Sequence, residues 1–234
     1  MMLIEEIKKS KPHTTYRLKD GTMVPGVTTV LGVMNKPALV PWANKLGLSG
    51  IEVGKYVDGL AEIGSLAHAM ILCHLHKEKP DLSDSSPNQV SKAENCLCSF
   101  FEWEKQHTIE PMLLETPLVS ETYGFGGTPD FVGRVDGQIE VIDFKTGKAI
   151  YEEHLYQAAA YEQLVAERAL SEALPGEVVG VDRLRILQIG RDETEGFSEK
   201  VIASWDSHWG VFKACLDLYN ARKVSGNGKR RKAS

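Results

Sequence analysis

The sequence predicts an α/β fold: a mixed central β-sheet flanked by helices, with an N-terminal helical region ahead of it. Three observations carry that expectation. Apolar residues recur at helical spacing in two long runs between residues 55 and 107. From Met112 to Lys145 the pattern turns strand-like, with Asp136-Gly137 as a two-residue hairpin turn. Beyond it come a helix, two strands and a closing helix, an order that buries a sheet between helical layers.

Each element has its own signal. Residues 14 to 18 and 22 to 24 flank Lys19-Asp20-Gly21, a hairpin-like turn. Thr28 to Leu48 mixes helix-compatible stretches with breaks at Pro37 and Pro41. Lys55 to His76 reads as a long helix, weakened by Gly59 and Gly64 and ended by Pro80. Asp81 to Asn88 is a polar loop, and Gln89 to His107 a second helix. Met112 to Val119, Phe125 to Val135 and Gln138 to Lys145 read as strands, and Glu152 to Leu170 as a helix. Asp182 to Ile189 and Glu199 to Ala203 are strands, and Trp205 to Arg222 closes the chain as a helix. A single domain over 1–224 is expected, with its helical part at about 28–107, its core at about 109–224, and a flexible basic tail over 225–234.

Composition narrows the function classes. The chain has 234 residues, 42% of them hydrophobic, enough for one sizeable core. No run of 18 apolar residues suggests a membrane span, and the N-terminus lacks a secretory pattern, so a cytoplasmic protein is expected. Cys73, Cys96, Cys98 and Cys215 lack the repeated close spacing of a structural zinc site and read as buried free thiols. The net charge of −5 does not advertise nucleic-acid binding, though a local patch matters more than the sum. No phosphate-binding Gly-x-x-x-x-Gly-Lys-Ser/Thr loop occurs, which excludes an ATP-driven motor of that type. The four tryptophans, Trp42, Trp103, Trp205 and Trp209, read as core.

The chemistry concentrates in Gly127-Thr128-Pro129-Asp130 and Val141-Ile142-Asp143-Phe144-Lys145. Side chains alternate along a strand, so Asp143 and Lys145 share a face while Ile142 and Phe144 anchor the other. Burying a carboxylate and an ammonium is costly unless they pair or bind a metal. Counting back from the Asp136-Gly137 turn puts Asp130 opposite Asp143. Two carboxylates so close repel unless a cation joins them, and hard oxygen ligands suit Mg²⁺ or Mn²⁺.

This pattern resembles the signature of the PD-(D/E)xK nuclease superfamily, in particular its RecB-like, Cas4-like and phage exonuclease branches. Gly64-Ser65-Leu66-Ala67-His68 resembles their upstream histidine motif, Glu115 their extra acid, and Gln157-Ala-Ala-Ala-Tyr161 their Q-x-x-x-Y motif. The resemblance implies a restriction-endonuclease-like core and a metal-dependent DNA nuclease. By the same resemblance Asp130, Asp143, His68 and the carbonyl oxygen of Phe144 hold Mg²⁺ or Mn²⁺, and Lys145 orients the attacking water or steadies the phosphate. Gln157 and Tyr161 position the strand being cut, and Glu115 joins as a further acid. An iron–sulfur cluster is not expected, because Cys215 stands alone late in the chain. The expected substrate is single- or double-stranded DNA with a free end, cut by an exonuclease or end-processing enzyme of repair or recombination, with a phage origin compatible. A recombination or single-strand-binding protein as partner, and a homo-oligomer, fit the same resemblance. The alternatives are a structure-specific or restriction-type endonuclease and a non-catalytic module that binds DNA ends.

Overall fold

The structure, a computed structural model, describes residues 14–171 and 180–230. In chain order the elements are β1 (Tyr16–Arg17), β2 (Met23–Val24), α1 (Val27–Leu31), α2 (Leu39–Leu48), α3 (Val53–Leu75), α4 (Pro87–Glu104), β3 (Ile109–Leu114), β4 (Leu118–Ser120), β5 (Phe125–Gly127), β6 (Phe131–Val135), β7 (Gln138–Thr146), α5 (Glu152–Ser171), β8 (Arg183–Ile189), β9 (Phe197–Ile202) and α6 (Asp206–Arg230). No helix among the described residues is long and apolar enough to cross a membrane.

Five strands form a mixed sheet in the order β3-β6-β7-β8-β9. The β6–β7 hairpin turns at Asp136 and Gly137, whose φ values of 51° and 82° both lie in the left-handed region that a tight primed turn needs. That turn sets the register, pairing Phe131 with Ile142. α5 then crosses over, and β8 returns parallel to β7. β7 is the central strand and is covered on both faces, so Asp143 and Lys145 do not sit on an exposed edge.

One layer packs α3 and α4 on the sheet, where Ala67, Ile71, Cys96 and Phe100 meet Ile142, Phe144, Leu187 and Ile189. The other packs α1, α5 and α6 against Val141, Leu184 and Ile186. Ala158, Ala159 and Ala160 are fully buried, and three small side chains in a row let α5 lie close to its neighbours on every side. α4 starts at a capping box: Ser86 accepts from the Gln89 N–H, Gln89 returns the bond to the Ser86 N–H, and Pro87 opens the first turn. α3 starts where the Glu52 carboxylate accepts from Gly54 and Lys55 N–H.

Five readings need correction. The strand expected over Met112–Val119 stops at Leu114, and a separate strand resumes at Leu118 beyond Pro117, which lacks the N–H a ladder needs. The strand expected over Phe125–Val135 is two strands, because β5 pairs with β4 while β6 pairs with β3 and β7. Cys98 is exposed, since two residues along a helix turn it away from the buried Cys96. Trp42 is 38% exposed on α2, a helix with no buried residue. Residues 225–230, read as the start of a flexible tail, continue α6. A helix already anchored by Phe212 and Leu216 has its nucleation cost met and meets no proline here, though Gly226 and Gly228 are poor helix formers. Residues 231–234 lie outside the described residues.

Gly133 shows how tightly the sheet is closed. A Cβ there would fall 2.4 Å from the Glu110 carbonyl oxygen, beside the register shift of β3. Gly133→Ala is expected to lower stability by about 1–3 kcal/mol through overpacking against backbone. Urea unfolding checks this, and an unchanged midpoint would show that β3 yields at no cost.

Candidate active site

The site forms where the C-terminal half of α3, the ends of β3 and β7 and the turn into β6 converge. Asp130 stands just before β6 rather than inside it. It continues the β6–β7 register and so lies opposite Asp143. Its Oδ2 accepts the Phe144 N–H at 2.9 Å, and its carbonyl accepts the Glu115 N–H at 3.1 Å. Glu115 is the residue after β3, and its φ of 40° is a strained conformation for a side chain with a Cβ. That backbone turn brings its carboxylate inward.

His68 reaches the same point from α3. Its Nδ1 lies 3.2 Å from Asp130 Oδ1, and its ring meets Phe144 edge-on at 5.9 Å. Gly64, one turn earlier, explains the approach: a Cβ there would fall 2.8 Å from Thr146 Oγ1. The glycine that weakens the helix on paper lets it press against the end of β7. The ligand atoms of His68, Glu115 and Asp130 all lie within 4.8 Å of one another. These three, with Leu72, Leu75 and Phe144, line a small pocket.

Asp143 stands beside this trio but turns to Lys145, whose Nζ lies 2.6 Å from its Oδ2. The approach is ionic rather than an aligned hydrogen bond, so that buried oxygen keeps an unmet bonding direction. Burial pushes the Asp143 carboxyl up to about 6; Lys145 opposes that and Asp130 adds to it. An imidazole, three carboxylates and an incompletely bonded buried oxygen suit a hard divalent cation.

Gln157 and Tyr161 share one face of α5, as spacing of four requires, and Gln157 Nε2 donates to the Tyr161 hydroxyl at 2.7 Å. Both are buried, deeper than residues read as lying along a substrate strand. Burial holds the Tyr161 hydroxyl well above the usual phenol range, with Asp143 and Asp130 contributing. The Tyr161 ring also explains Gly127, where a Cβ would fall 2.7 Å from Tyr161 Cε1. Gly126 and Gly127 thus let two tyrosine rings, Tyr16 and Tyr161, pack on this strand.

Sequence reasoning missed His154. It sits in the first turn of α5, where burial foremost and then the Lys145 charge depress its pKa to about 4. A lone histidine after a basic strand end carries no sequence signal. His74, by contrast, is accounted for by its bonds to Glu104 at 2.8 and 3.0 Å.

A model of the PD-(D/E)XK nuclease superfamily matches residues 52–209, two thirds of the chain. The chain belongs to that superfamily. The matched span takes in His68, Glu115, Asp130, Asp143, Lys145, Gln157 and Tyr161, and begins just after the β1–β2 hairpin, α1 and α2. The mixed five-stranded sheet flanked by helices is the fold of this PD-(D/E)XK chain. No curated protein matches it. Among solved structures it is similar to an alkaline exonuclease from Laribacter hongkongensis, at 13% identity and TM-score 0.40, covering 74% of this chain and 90% of that one. The same enzyme in complex with dAMP gives a TM-score of 0.35. A protein described as a candidate exonuclease from Eubacterium rectale gives 15% identity and 0.39, covering 74% of this chain and 65% of that one.

Proposed function

We propose that the chain is a Mg²⁺- or Mn²⁺-dependent deoxyribonuclease acting at free DNA ends, an exonuclease or end-processing enzyme of repair or recombination. The observation that carries the proposal is the convergence of His68, Glu115 and Asp130 within 4.8 Å, next to the buried Asp143–Lys145 pair. The helical part at about 28–107 and the core at about 109–224 act as one domain in this reading, since His68 comes from the first and Asp130 from the second.

Asp130, Asp143 and His68 would hold the ion, with Glu115 and the Phe144 carbonyl completing the set. Such an ion, when bound, supplies Lewis-acid polarisation of a phosphate and eases deprotonation of water. The protein supplies the rest. Lys145 brings a fixed positive charge to the point where phosphate charge grows. The walls formed by Leu72, Leu75 and Phe144 limit water around the site, which strengthens each of these interactions. Gln157 and Tyr161, buried and bonded to each other, would help position the strand being cut from behind the site. A homo-oligomer and a recombination or single-strand-binding protein as partner belong to the same proposal.

The test is digestion of end-labelled linear single- and double-stranded DNA, with closed circular DNA in parallel, in Mg²⁺, Mn²⁺ or EDTA. We expect metal-dependent loss of the linear substrates and survival of the circle. Cleavage of the circle would make the chain an endonuclease. DNA binding without cleavage in either metal would leave an end-binding module instead.

A further inference from the structure

We propose that Tyr16, on the N-terminal hairpin outside the matched superfamily span, is a positioning residue for Asp130: its hydroxyl pins the Thr128-Pro129-Asp130 turn. The inference rests on the metal-site reading above.

The turn is held at its ends by the Gly127–Leu118 pair of β5 and by the bonds of Asp130, while Thr128 itself lies in no ladder. Residues 128–130 lie between β5 and β6 and belong to no strand ladder. Beyond Asp130 the chain is fixed by β6, and the Asp130 side chain by the Phe144 N–H. On the other side, the Thr128 side chain reaches Tyr16, and the two hydroxyls share a hydrogen bond of 2.9 Å across 112 residues of sequence. Pro129, with its fixed φ, joins that anchored residue stiffly to Asp130.

The hairpin is built to hold Tyr16 there. A Cβ built at Gly126 falls 2.3 Å from Tyr16 Cγ, and one at Gly26 falls 3.0 Å from Tyr16 Cε2. The ring therefore occupies a slot that two glycines leave open. The Gly126 N–H donates to the Pro25 carbonyl at 2.9 Å, and the Lys19 N–H donates to Glu121 Oε1 at 2.8 Å, so the hairpin is tied down at two places. The ring alone would fill the slot. The hydroxyl adds nothing to that packing and serves the bond to Thr128. Burial foremost raises the pKa of the Tyr161 hydroxyl, Asp143 and Asp130 add to it, and Tyr16 lies close enough to contribute as well.

The experiment compares the full chain with Tyr16→Phe, Thr128→Val, Thr128→Ser and the Tyr16→Phe/Thr128→Val double variant. Mn²⁺ affinity is measured by calorimetry, thermal unfolding in EDTA, and DNA cleavage in parallel. Tyr16→Phe keeps the ring and should unfold as wild type does, while binding Mn²⁺ roughly tenfold more weakly, the scale of a lost partner behind a metal ligand. Thr128→Val should match it, the double variant should be no worse than either, and Thr128→Ser should restore wild-type affinity. Equal Mn²⁺ affinity in wild type, Tyr16→Phe and Thr128→Val overturns the inference while leaving the nuclease proposal standing. So does additive loss in the double variant. Wild type that binds no Mn²⁺ overturns both. Wild type that binds Mn²⁺ and cleaves nothing removes the enzyme reading alone.

Discussion

Asp143→Asn should abolish cleavage and, in the absence of metal, make the protein more stable at pH 8. The two effects share one cause. Asp143 is 1% exposed, and burial pushes its carboxyl up to about 6, against an unfolded value of about 3.9. A carboxyl whose pKa rises on folding favours the protonated native state. Its contribution is most favourable below about pH 4 and is lost as pH climbs through 6, after which the penalty is constant. Asparagine has the same shape and no charge, so it removes that penalty. The gain is on the order of 2 kcal/mol at pH 8, with the opposing Lys145 ion pair already contained in the raised pKa. At pH 4 the gain vanishes. Cleavage should fall by roughly 10²–10³-fold or more, because a neutral amide replaces a charged ligand beside the trio. Melts in EDTA at pH 4 and pH 8, with cleavage assays beside them, check both halves. An asparagine variant less stable than wild type at pH 8 would show that the ion pair outweighs desolvation and sink the argument. The same carboxyl gives wild type a further signature: Mn²⁺ affinity should rise with pH up to about 6 and then level, since ion and proton compete for one oxygen.

Stability and function thus oppose each other at this residue, and the sequence shows why. A strand reading Val141-Ile142-Asp143-Phe144-Lys145 is apolar enough to lie at the centre of a sheet, so its charges are carried into low dielectric. The facing of Asp130 and Asp143 was legible because a two-residue turn fixes register on both strands, and nothing between the turn and Asp130 disturbs it. The superfamily was legible because several spaced motifs fall on the right elements. The break before Asp130 was not, since the apolar pattern runs on while the pairing partners change. Nor was the turn at Glu115, where no glycine announces a positive φ. The burial of Gln157 and Tyr161 was written in Ala158, Ala159 and Ala160, three small residues that mark a helix enclosed on all sides. Their expected role came from the motif resemblance, and spacing of four gives direction but not depth. Tyr16 carries no local signal, because its partner lies 112 residues away.

Lys145→Ala separates binding from chemistry, and a change in pH should reverse its effect on metal affinity. Lys145 Nζ sits 2.6 Å from Asp143 Oδ2, where it competes for the oxygen that an ion would use. At a pH high enough to keep Asp143 ionised without the lysine, removing a competing cation should leave Mn²⁺ affinity equal to wild type or higher. Near pH 6 the sign changes. Lys145 is the principal influence holding the Asp143 carboxyl down, so its loss raises that pKa further above the ordinary range. A proton then occupies the site, and Mn²⁺ binds more weakly than to wild type. Cleavage should drop by roughly 10²–10³-fold even at saturating Mn²⁺ and pH 8, because the cation beside Asp143 that would meet the growing phosphate charge is gone. His154 offers an independent reading by NMR titration. The Lys145 charge helps depress its pKa to about 4, so the alanine variant should move it upward. If Lys145→Ala loses Mn²⁺ at pH 8 as completely as Asp143→Asn does, the lysine supports the architecture of the site rather than the chemistry. Retained metal with lost turnover places it at the reacting phosphate.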